Sequence, residues 1–194
     1  MRVFVVYAHP SKESFTYHVK NRFIEGLEKA GHHVVVSDLY EMGFQTDMSE
    51  EEYLREAHYA ETVPLSSDVM AEQEKINNSD ALVFIYPVFW TEAPAKLVGW
   101  IDRVWTYGFA YGSRKMKKLD KALVIAITGH SSEELEEYGH LQSMRTVMLG
   151  DRLHDRVAEK NMIVLDSMAR YNAEIRQSKW QEHLERVYQV GITF

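Results

Sequence analysis

The chain contains no cysteine among its 194 residues. Without a thiol, the protein has no disulfide, no thiolate nucleophile, and no zinc or iron–sulfur centre ligated by cysteine. A sequence without cysteine is compatible with a reducing compartment, where disulfides rarely form. Any catalysis therefore has to come from other side chains or from a bound group.

Long apolar runs are also missing. No stretch approaches the roughly 20 apolar residues that a membrane-spanning helix needs, and the amino-terminal residues lead directly into the short apolar run 3–6. That run is not preceded by a basic segment, and no long apolar region with a small-residue cleavage site follows. We expect a cytoplasmic protein with no membrane span.

Several nucleotide and hydrolase motifs do not occur. The sequence has no GxGxxG after a strand, no GxxxxGK[ST] and no GxSxG. These are the signatures of a resident dinucleotide, a P-loop and an elbow serine. No histidine pair has the HExxH arrangement of a zinc enzyme. We expect neither a metal nor a tightly held nicotinamide nucleotide.

Negative charge exceeds positive charge. The chain has 29 Asp and Glu against 22 Lys and Arg, a formal net charge of -7. A field of one sign argues against a surface that tracks the phosphates of nucleic acid. Any ligand phosphate would therefore have to be bound locally.

Five short apolar runs alternate with amphipathic segments. The predicted strands are residues 3–6, 34–36, 81–85, 122–127 and 162–165. Continuous apolar runs of this length are typical of strands that are buried on both faces. The alternation predicts a single doubly wound α/β domain over residues 1–194, with helices on both faces of a parallel sheet. Of the two common strand orders, five strands suit 2-1-3-4-5.

The intervening segments predict helices. Apolar residues recur at helical spacing in four segments, 15–27, 69–76, 97–105 and 180–188. We expect Ser67 to cap the second helix and Pro94 to be the first residue of the third. The polar stretch 41–68 predicts a long excursion with a short helix at 53–59. The stretch 131–160 predicts a turn followed by a helix.

Two loops at the carboxyl ends of strands carry the candidate site. In the predicted order, the loops after Val6 and Ile85 face each other where such sheets bind nucleotides. The first loop reaches Ser14, where free amides and the helix dipole favour a phosphate. The second carries aromatic side chains that suit a planar ligand. The alternatives are that Ser14 only caps the helix and that the aromatic residues belong to the core.

The second loop also carries a family motif. The run YPVFWTEAPAKLVGWIDRV at 86–104, with FAY at 109–111, resembles the flavin loop of the flavodoxin-like NAD(P)H:quinone oxidoreductases. His9-Pro10 with Ser14-Phe15 resembles their first phosphate loop, and SDLY at 37–40 matches the end of their second strand. This flavodoxin-2 type of family includes modulator of drug activity B and the ancillary proteins of potassium-efflux systems. The similarity covers nearly the entire chain.

The resemblance implies a homodimeric flavoprotein with a flavodoxin-like fold, which takes a hydride from NAD(P)H and passes two electrons to a quinone or related electrophile. It implies two sets of flavin-binding residues and a catalytic pair. The phosphates are held by His9, Ser14, Phe15 and Thr16. The ring is lined by Pro87, Val88, Phe89 and Trp90, and its other polar edge lies near Thr128 and Gly129. The catalytic pair is Tyr138 and His140, which would stabilise charge on the reduced flavin.

The sequence departs from the mammalian branch of this family at two places. Thr91-Glu92 stands where that branch has an aromatic residue and a glycine, and Gly129-His130 where a glycine pair is usual. We therefore expect a nicotinamide pocket of a different shape. FAD is preferred over FMN, because the excursion 41–68 is long enough to cover an adenine. Since one pocket would serve both substrates, a ping-pong order is expected.

Other interpretations remain open at this point. The first is a flavin-binding regulatory or ancillary redox subunit, and a more distant one is a flavin-free α/β hydrolase or binding module. The basic run 114–118 either attracts the phosphates of the nicotinamide nucleotide or is a solvated loop. A homodimer is also predicted from aromatic residues that exceed what one helix and its loop bury, namely Trp100, Trp105, Tyr107, Phe109 and Tyr111.

Overall fold

A computed structural model describes the whole chain, residues 1–194. The five strands are β1 (Arg2–Tyr7), β2 (His33–Asp38), β3 (Ala81–Pro87), β4 (Leu119–Ile127) and β5 (Val157–Leu165). The seven α-helices are α1 (Phe15–Lys29), α2 (Glu50–Ala57), α3 (Ser67–Asn77), α4 (Ala95–Val104), α5 (Ser132–Glu137), α6 (His140–Arg145) and α7 (Ala173–Ile192). Helix α6 continues directly into a π-helical segment, Thr146–Leu153.

The strands form one parallel sheet in the order β2-β1-β3-β4-β5. The predicted fold class and strand order are therefore confirmed. Strand β1 lies between β2 and β3, so that Val5 pairs with Val36 on one side and with Val83 on the other. Because β1 and β3 are neighbours, the loops that follow them meet at the carboxyl edge of the sheet.

Alternate residues of each strand enter one of two apolar layers. Phe4 and Val6 face the layer that contains Trp100 of α4. Val3 and Val5 face the layer that contains Phe23 of α1 and residues of α7. Full burial of an aliphatic or aromatic side chain is worth about 1.5–3 kcal/mol, so both helical layers are held firmly on the sheet. This packing fixes the helix ends that surround its carboxyl edge.

Helix α7 lies unusually close to α1, because two glycines meet at the contact. A Cβ atom on Gly26 would come within 2.4 Å of the Tyr188 carbonyl oxygen, and one on Gly191 within 2.5 Å of the Phe23 carbonyl oxygen. Neither position accepts a side chain without a shift of backbone. The close contact fixes the last turn of α7 against the second half of α1.

Three predicted helix starts differ from the structure. The first helix of the excursion begins at Glu50, because Ser49 forms a capping box with Glu52. Ser67 was wrongly predicted as a cap, since Ser66 occupies that position and its hydroxyl bonds Glu52 instead of the helix backbone. Pro94 also stands one residue before the helix, which begins at Ala95.

The segment 131–160 differs most from its prediction. It contains two short helices and the π-helical segment, and β5 begins within it at Val157. The first half of β5 was missed because residues 158–161 are exposed on this edge strand and 159–161 carry polar side chains. An edge strand of this kind has no continuous apolar run to mark it.

The excursion 41–68 is fastened to α4. Arg103 is 5% exposed, and its guanidinium bonds the Glu52 carboxylate at 2.6 Å, the Asp68 carboxylate at 2.6 Å and the Gln45 carbonyl at 2.6 Å. Lys96 donates to the Phe44 carbonyl at 2.6 Å. The excursion is thus an ordered layer over the outer side of α4.

Candidate functional site

A cleft opens where the loops after β1, β3, β4 and β5 converge, and its volume is about 310 Å³. Its lining residues are His9, Ser11, Ser14, Phe15, Thr16, Pro87, Val88, Phe89, Ile127, Thr128, Gly129, Met168, Arg170 and Arg176. All the predicted flavin-binding residues except Trp90 are among them. The two loops singled out in the sequence therefore share one cleft.

The first loop presents unpaired backbone amides. Ser14 caps α1, since its hydroxyl accepts the Tyr17 amide at 3.0 Å and donates to the Ser11 carbonyl at 2.8 Å. The amides of Phe15 and Thr16, the first two of the helix, donate to no acceptor within the chain. Helix amino termini with free amides bind anions readily. Ser14 is thus a cap, and its capping places two amide donors at the cleft.

His9 contributes a neutral imidazole at the pH of the cell. Its Nδ1 accepts the Ser11 amide at 2.9 Å, which leaves the proton on Nε2. Burial lowers the pKa of His9 below 6.5. The ring therefore offers one N–H donor.

Two arginines in the cleft were not predicted. Arg170 and Arg176 line it, and the Nε of Arg176 is buried without a partner while its guanidinium lies 4.5 Å from the Trp180 ring centre. The lining includes no carboxylate, so the cleft is locally positive in a chain of net charge -7. The loop before α7 also follows a strand, so the same edge rule predicts that this loop reaches the cleft, but it does not single out either arginine.

The second loop ends in a tight hairpin. The Val88 amide donates to the Ile127 carbonyl at 2.8 Å, which joins the loop to the end of β4. Phe89 and Glu92 then exchange both backbone hydrogen bonds, at 2.8 and 3.0 Å. Trp90, at the tip, is 99% exposed. Its predicted contact with the ring stays a prediction, because its indole lies outside the cleft lining.

The end of β4 forms the third wall. Thr128 is buried, and its hydroxyl donates to the His130 carbonyl at 3.1 Å. At Gly129, a Cβ would meet only Ala169, its Cβ at 3.3 Å and its Cα at 3.9 Å. Both residues line the cleft, as predicted from the resemblance.

Tyr138 and His140 lie beyond this wall. They flank Gly139, whose φ of 72° turns the chain between α5 and α6, and their ring centres are 5.8 Å apart. Tyr138 is 63% exposed. Neither residue lines the cleft, so their catalytic role stays a prediction.

The aromatic residues that predicted a dimer interface, and the basic run 114–118, make their contacts within the chain. Trp100, Trp105 and Phe109 are buried, and Tyr111 donates to Glu56 at 2.6 Å. The physical argument for a dimer from these aromatic residues is therefore wrong, because the excursion and neighbouring elements cover them. In the basic run 114–118, Lys115 pairs with Glu61 and Lys117 pairs with Asp80 at 3.0 Å.

The comparisons with known proteins agree with this geometry. The model of the family described as Flavodoxin-like fold matches residues 1–190. The chain belongs to this family. A solved structure, NAD(P)H:quinone oxidoreductase from Methanothermobacter marburgensis, is 45% identical with a TM-score of 0.93, covering 99% of this chain and 96% of that one.

Curated relatives carry related names. "NAD(P)H dehydrogenase [quinone] 1" of Cavia porcellus is 35% identical over 151 residues, covering 69% of this chain and 55% of that protein. "Uncharacterized NAD(P)H oxidoreductase" of Haemophilus influenzae is 30% identical over 158 residues, covering 77% of this chain and 75% of that protein. The chain spans about half the length of the first two curated relatives, 46% and 55%.

No helix combines the length and the apolar character needed to cross a membrane. No group of three or more His, Cys, Asp and Glu side chains is arranged to hold a metal ion.

Proposed function

We propose that the chain is a flavin-dependent NAD(P)H oxidoreductase that reduces quinones or related electrophiles by two electrons. The observation that carries this proposal is the cleft, where unpaired amides and arginines lie at one side and flat apolar groups at the other. A flavin nucleotide matches this arrangement, because it has a negatively charged phosphate at one end and a planar ring at the other. The 45% identity to an NAD(P)H:quinone oxidoreductase over 99% of the chain supports the same conclusion.

The phosphate end of the flavin would lie against the start of α1. The amides of Phe15 and Thr16 supply backbone donors, and Arg176 supplies a charged donor whose Nε has no other partner. His9 adds its Nε2–H. These groups hold a phosphate without a lysine cluster, since each donor is already fixed by the fold.

The ring would lie between the second loop and the end of β4. Pro87, Val88 and Phe89 form one wall, and Thr128 with Gly129 form the other. When bound, the flavin supplies the hydride chemistry between the nicotinamide and the acceptor. The task of the protein is to orient the reacting atoms at about 3–3.5 Å and to exclude water.

Three further residues are proposed to act on the ring or its substrates. Trp90 projects from the rim of the cleft and would cover the ring face or the substrate on it. Tyr138 and His140 would donate hydrogen bonds that stabilise charge on the reduced ring or on the acceptor oxygen. Their neighbouring rings, 5.8 Å apart, support a joint role.

We also propose the identity of the flavin, the order in which the two substrates bind and the oligomeric state. We favour FAD over FMN, because the start of the excursion is joined to the first loop by the Lys12–Glu41 ion pair at 2.8 Å, beside the phosphate end. The two substrates would use the single cleft in turn, which gives a ping-pong order. A second copy of the chain would cover the exposed rim.

The test begins with the absorption spectrum of the purified protein, in which bands of a bound flavin are expected. The mass of the pigment released by heat identifies it, and the mass of FMN would contradict the preference for FAD. Anaerobic mixing with NADPH should bleach the visible bands. A colourless chain that binds no added flavin would overturn the proposal, and a flavin that NADPH and NADH leave oxidised would favour a regulatory subunit.

A further inference from the structure

The hairpin at the end of the second loop is strained. Trp90 and Thr91 have φ of 51° and 67°, and this pair of left-handed residues is the pattern of a type I′ turn, which normally contains Asn and Gly. Threonine is β-branched and rarely adopts a positive φ. Strain of this kind persists only where the surroundings enforce it. Something outside the turn must therefore hold it.

The external support is an ion pair with the π-helical segment. Glu92, which closes the turn, accepts from Arg152 through two contacts, Nη1 to Oε1 at 2.9 Å and Nη2 to Oε2 at 3.4 Å. Oε1 of Glu92 also accepts the Ala93 amide at 2.7 Å. The Arg152 side chain is 12% exposed and that of Glu92 42%. The carboxylate thus links the base of the turn to a largely buried guanidinium.

Arg152 is itself fixed in place. Its carbonyl accepts the Trp105 indole N–H at 2.7 Å, and its Nη1 lies 3.3 Å from the Met148 sulfur. It belongs to the π-helical segment, and π-helical turns are rare and frequently occur at functional sites. The strained hairpin and the rare helix thus meet in one contact.

We propose that Arg152 and Glu92 form a positioning pair that holds the hairpin 89–92 in its strained form and thereby sets the ring-facing wall of the cleft. The link to the cleft is Phe89, which lines it and exchanges both backbone hydrogen bonds with Glu92. The pair acts through Phe89 and Trp90, and neither member lines the cleft. This inference rests on the proposed flavin function.

The test compares flavin affinity in matched variants. Arg152→Met keeps an apolar side chain beside Met148 and removes the guanidinium. We expect the dissociation constant for FMN and FAD, measured by fluorescence titration of the flavin-free chain, to rise at least tenfold. Glu92→Gln should weaken binding in the same direction. Arg22→Met, which removes surface ion pairs with Glu25 and Glu185, is the control and should bind as the wild type does.

A rescue experiment separates positioning from general structural damage. Glycine adopts positive φ without penalty, so Thr91→Gly should let the hairpin form without its external support. We expect Arg152→Met combined with Thr91→Gly to bind flavin within about threefold of Thr91→Gly alone. Urea unfolding confirms that each variant is folded, and loss of the fold in Arg152→Met would move the test to Glu92→Gln.

Different results would contradict the proposed flavin function and the positioning role of Arg152 and Glu92. A wild-type chain that binds neither FMN nor FAD overturns the proposed function and this inference with it. Wild-type flavin affinity in both single variants, or weakened binding that Thr91→Gly does not restore, overturns the positioning role and leaves the proposed function standing.

Discussion

At the scale of single residues, some groups that line the cleft could be recognised from the sequence and others could not. Residues around Ser14 and Val88 were predictable, because each follows a buried strand and belongs to a recognisable motif. Arg176 was not, since an arginine in the first turn of an amphipathic helix is ordinary in sequence. Only the fold shows that its Nε is buried without a partner at a cleft that has no carboxylate.

Arg176 leads to a prediction about ligand discrimination. In Arg176→Met, we expect FMN to bind more than tenfold more weakly, about 1.4 kcal/mol, because a charged donor to the phosphate is lost. Riboflavin has no phosphate, and its affinity should stay within about twofold. Fluorescence titration measures both. Arg186→Met, on the exposed side of α7, is the control, and equal losses for FMN and riboflavin would contradict a phosphate contact.

Trp90 allows binding to be separated from stability. Its side chain is 99% exposed, so Trp90→Ala should change the free energy of unfolding by less than about 0.5 kcal/mol. Flavin retention or turnover should nevertheless fall more than tenfold if the indole covers the ring or substrate. Urea unfolding and flavin titration on the same variant provide the measurement. Unchanged retention and turnover would exclude Trp90 from the site.

His183 predicts a pH dependence of stability. Burial lowers the pKa of His183 below 6.5, against smaller opposing effects of Asp166. Its ring nitrogen Nε2 lies 3.1 Å from the Asp166 carbonyl, and its Nδ1 is buried without a partner. Protonation at Nδ1 would therefore create a buried donor without an acceptor. Between the folded-state pKa and about 6.5, the unfolded chain binds more protons, so stability falls as the pH is lowered.

The measurement is urea unfolding at several values from pH 7.5 to pH 5.5, for the wild type and for His183→Gln. Glutamine keeps a donor and does not titrate, so the variant should lose less stability than the wild type across this interval. The other histidines are common to both proteins and cancel in the difference. Parallel curves would show that His183 does not contribute.

At the scale of elements, strands were predicted correctly where hydrophobic burial alone determines the residue pattern. Central strands such as β3, buried along its entire length, are apolar without interruption, and their short length between turn residues marks them as strands. The first half of β5 and the π-helical segment were missed for opposite reasons. The first half of β5 lies on an exposed edge of the sheet. The π-helical segment depends on tertiary contacts such as that between Arg152 and Trp105, and such contacts leave no signal in the local sequence.

The excursion 41–68 depends for its stability on the buried Arg103. Arg103 is buried between two acidic side chains of the excursion, and Arg103→Met leaves Glu52 and Asp68 without their shared partner. Removing one member of a buried pair costs about 3–5 kcal/mol, and the partial exposure of both carboxylates reduces this to about 2–4 kcal/mol. Unfolding in guanidinium chloride measures the loss of stability. Arg22→Met, which removes exposed ion pairs, should cost about 1 kcal/mol or less.

At the scale of the whole molecule, the strand order followed from the alternation of strands and helices together with the count of five strands, which suits one of the two common doubly wound orders. Charge is distributed less evenly than composition suggests. The chain carries -7 overall, yet its cleft is lined by two arginines and no carboxylate. A positive cleft in a negative molecule concentrates a phosphorylated ligand at one place and disfavours polyanions elsewhere.

The rim of the cleft is rich in exposed aromatic side chains, and we expect it to be a dimer interface. Phe89, Trp90 and Tyr171 are 49%, 99% and 81% exposed, and each lies on or next to a loop that lines the cleft. A second copy over this rim would bury them and exclude water from the ring. We expect sedimentation at micromolar concentration to give about twice 22.6 kDa, and Trp90→Glu to shift the chain towards the monomer. Tyr53→Glu, a change at an exposed aromatic residue of α2, should leave the dimer intact, whereas a monomeric wild type would show that the rim is open to solvent.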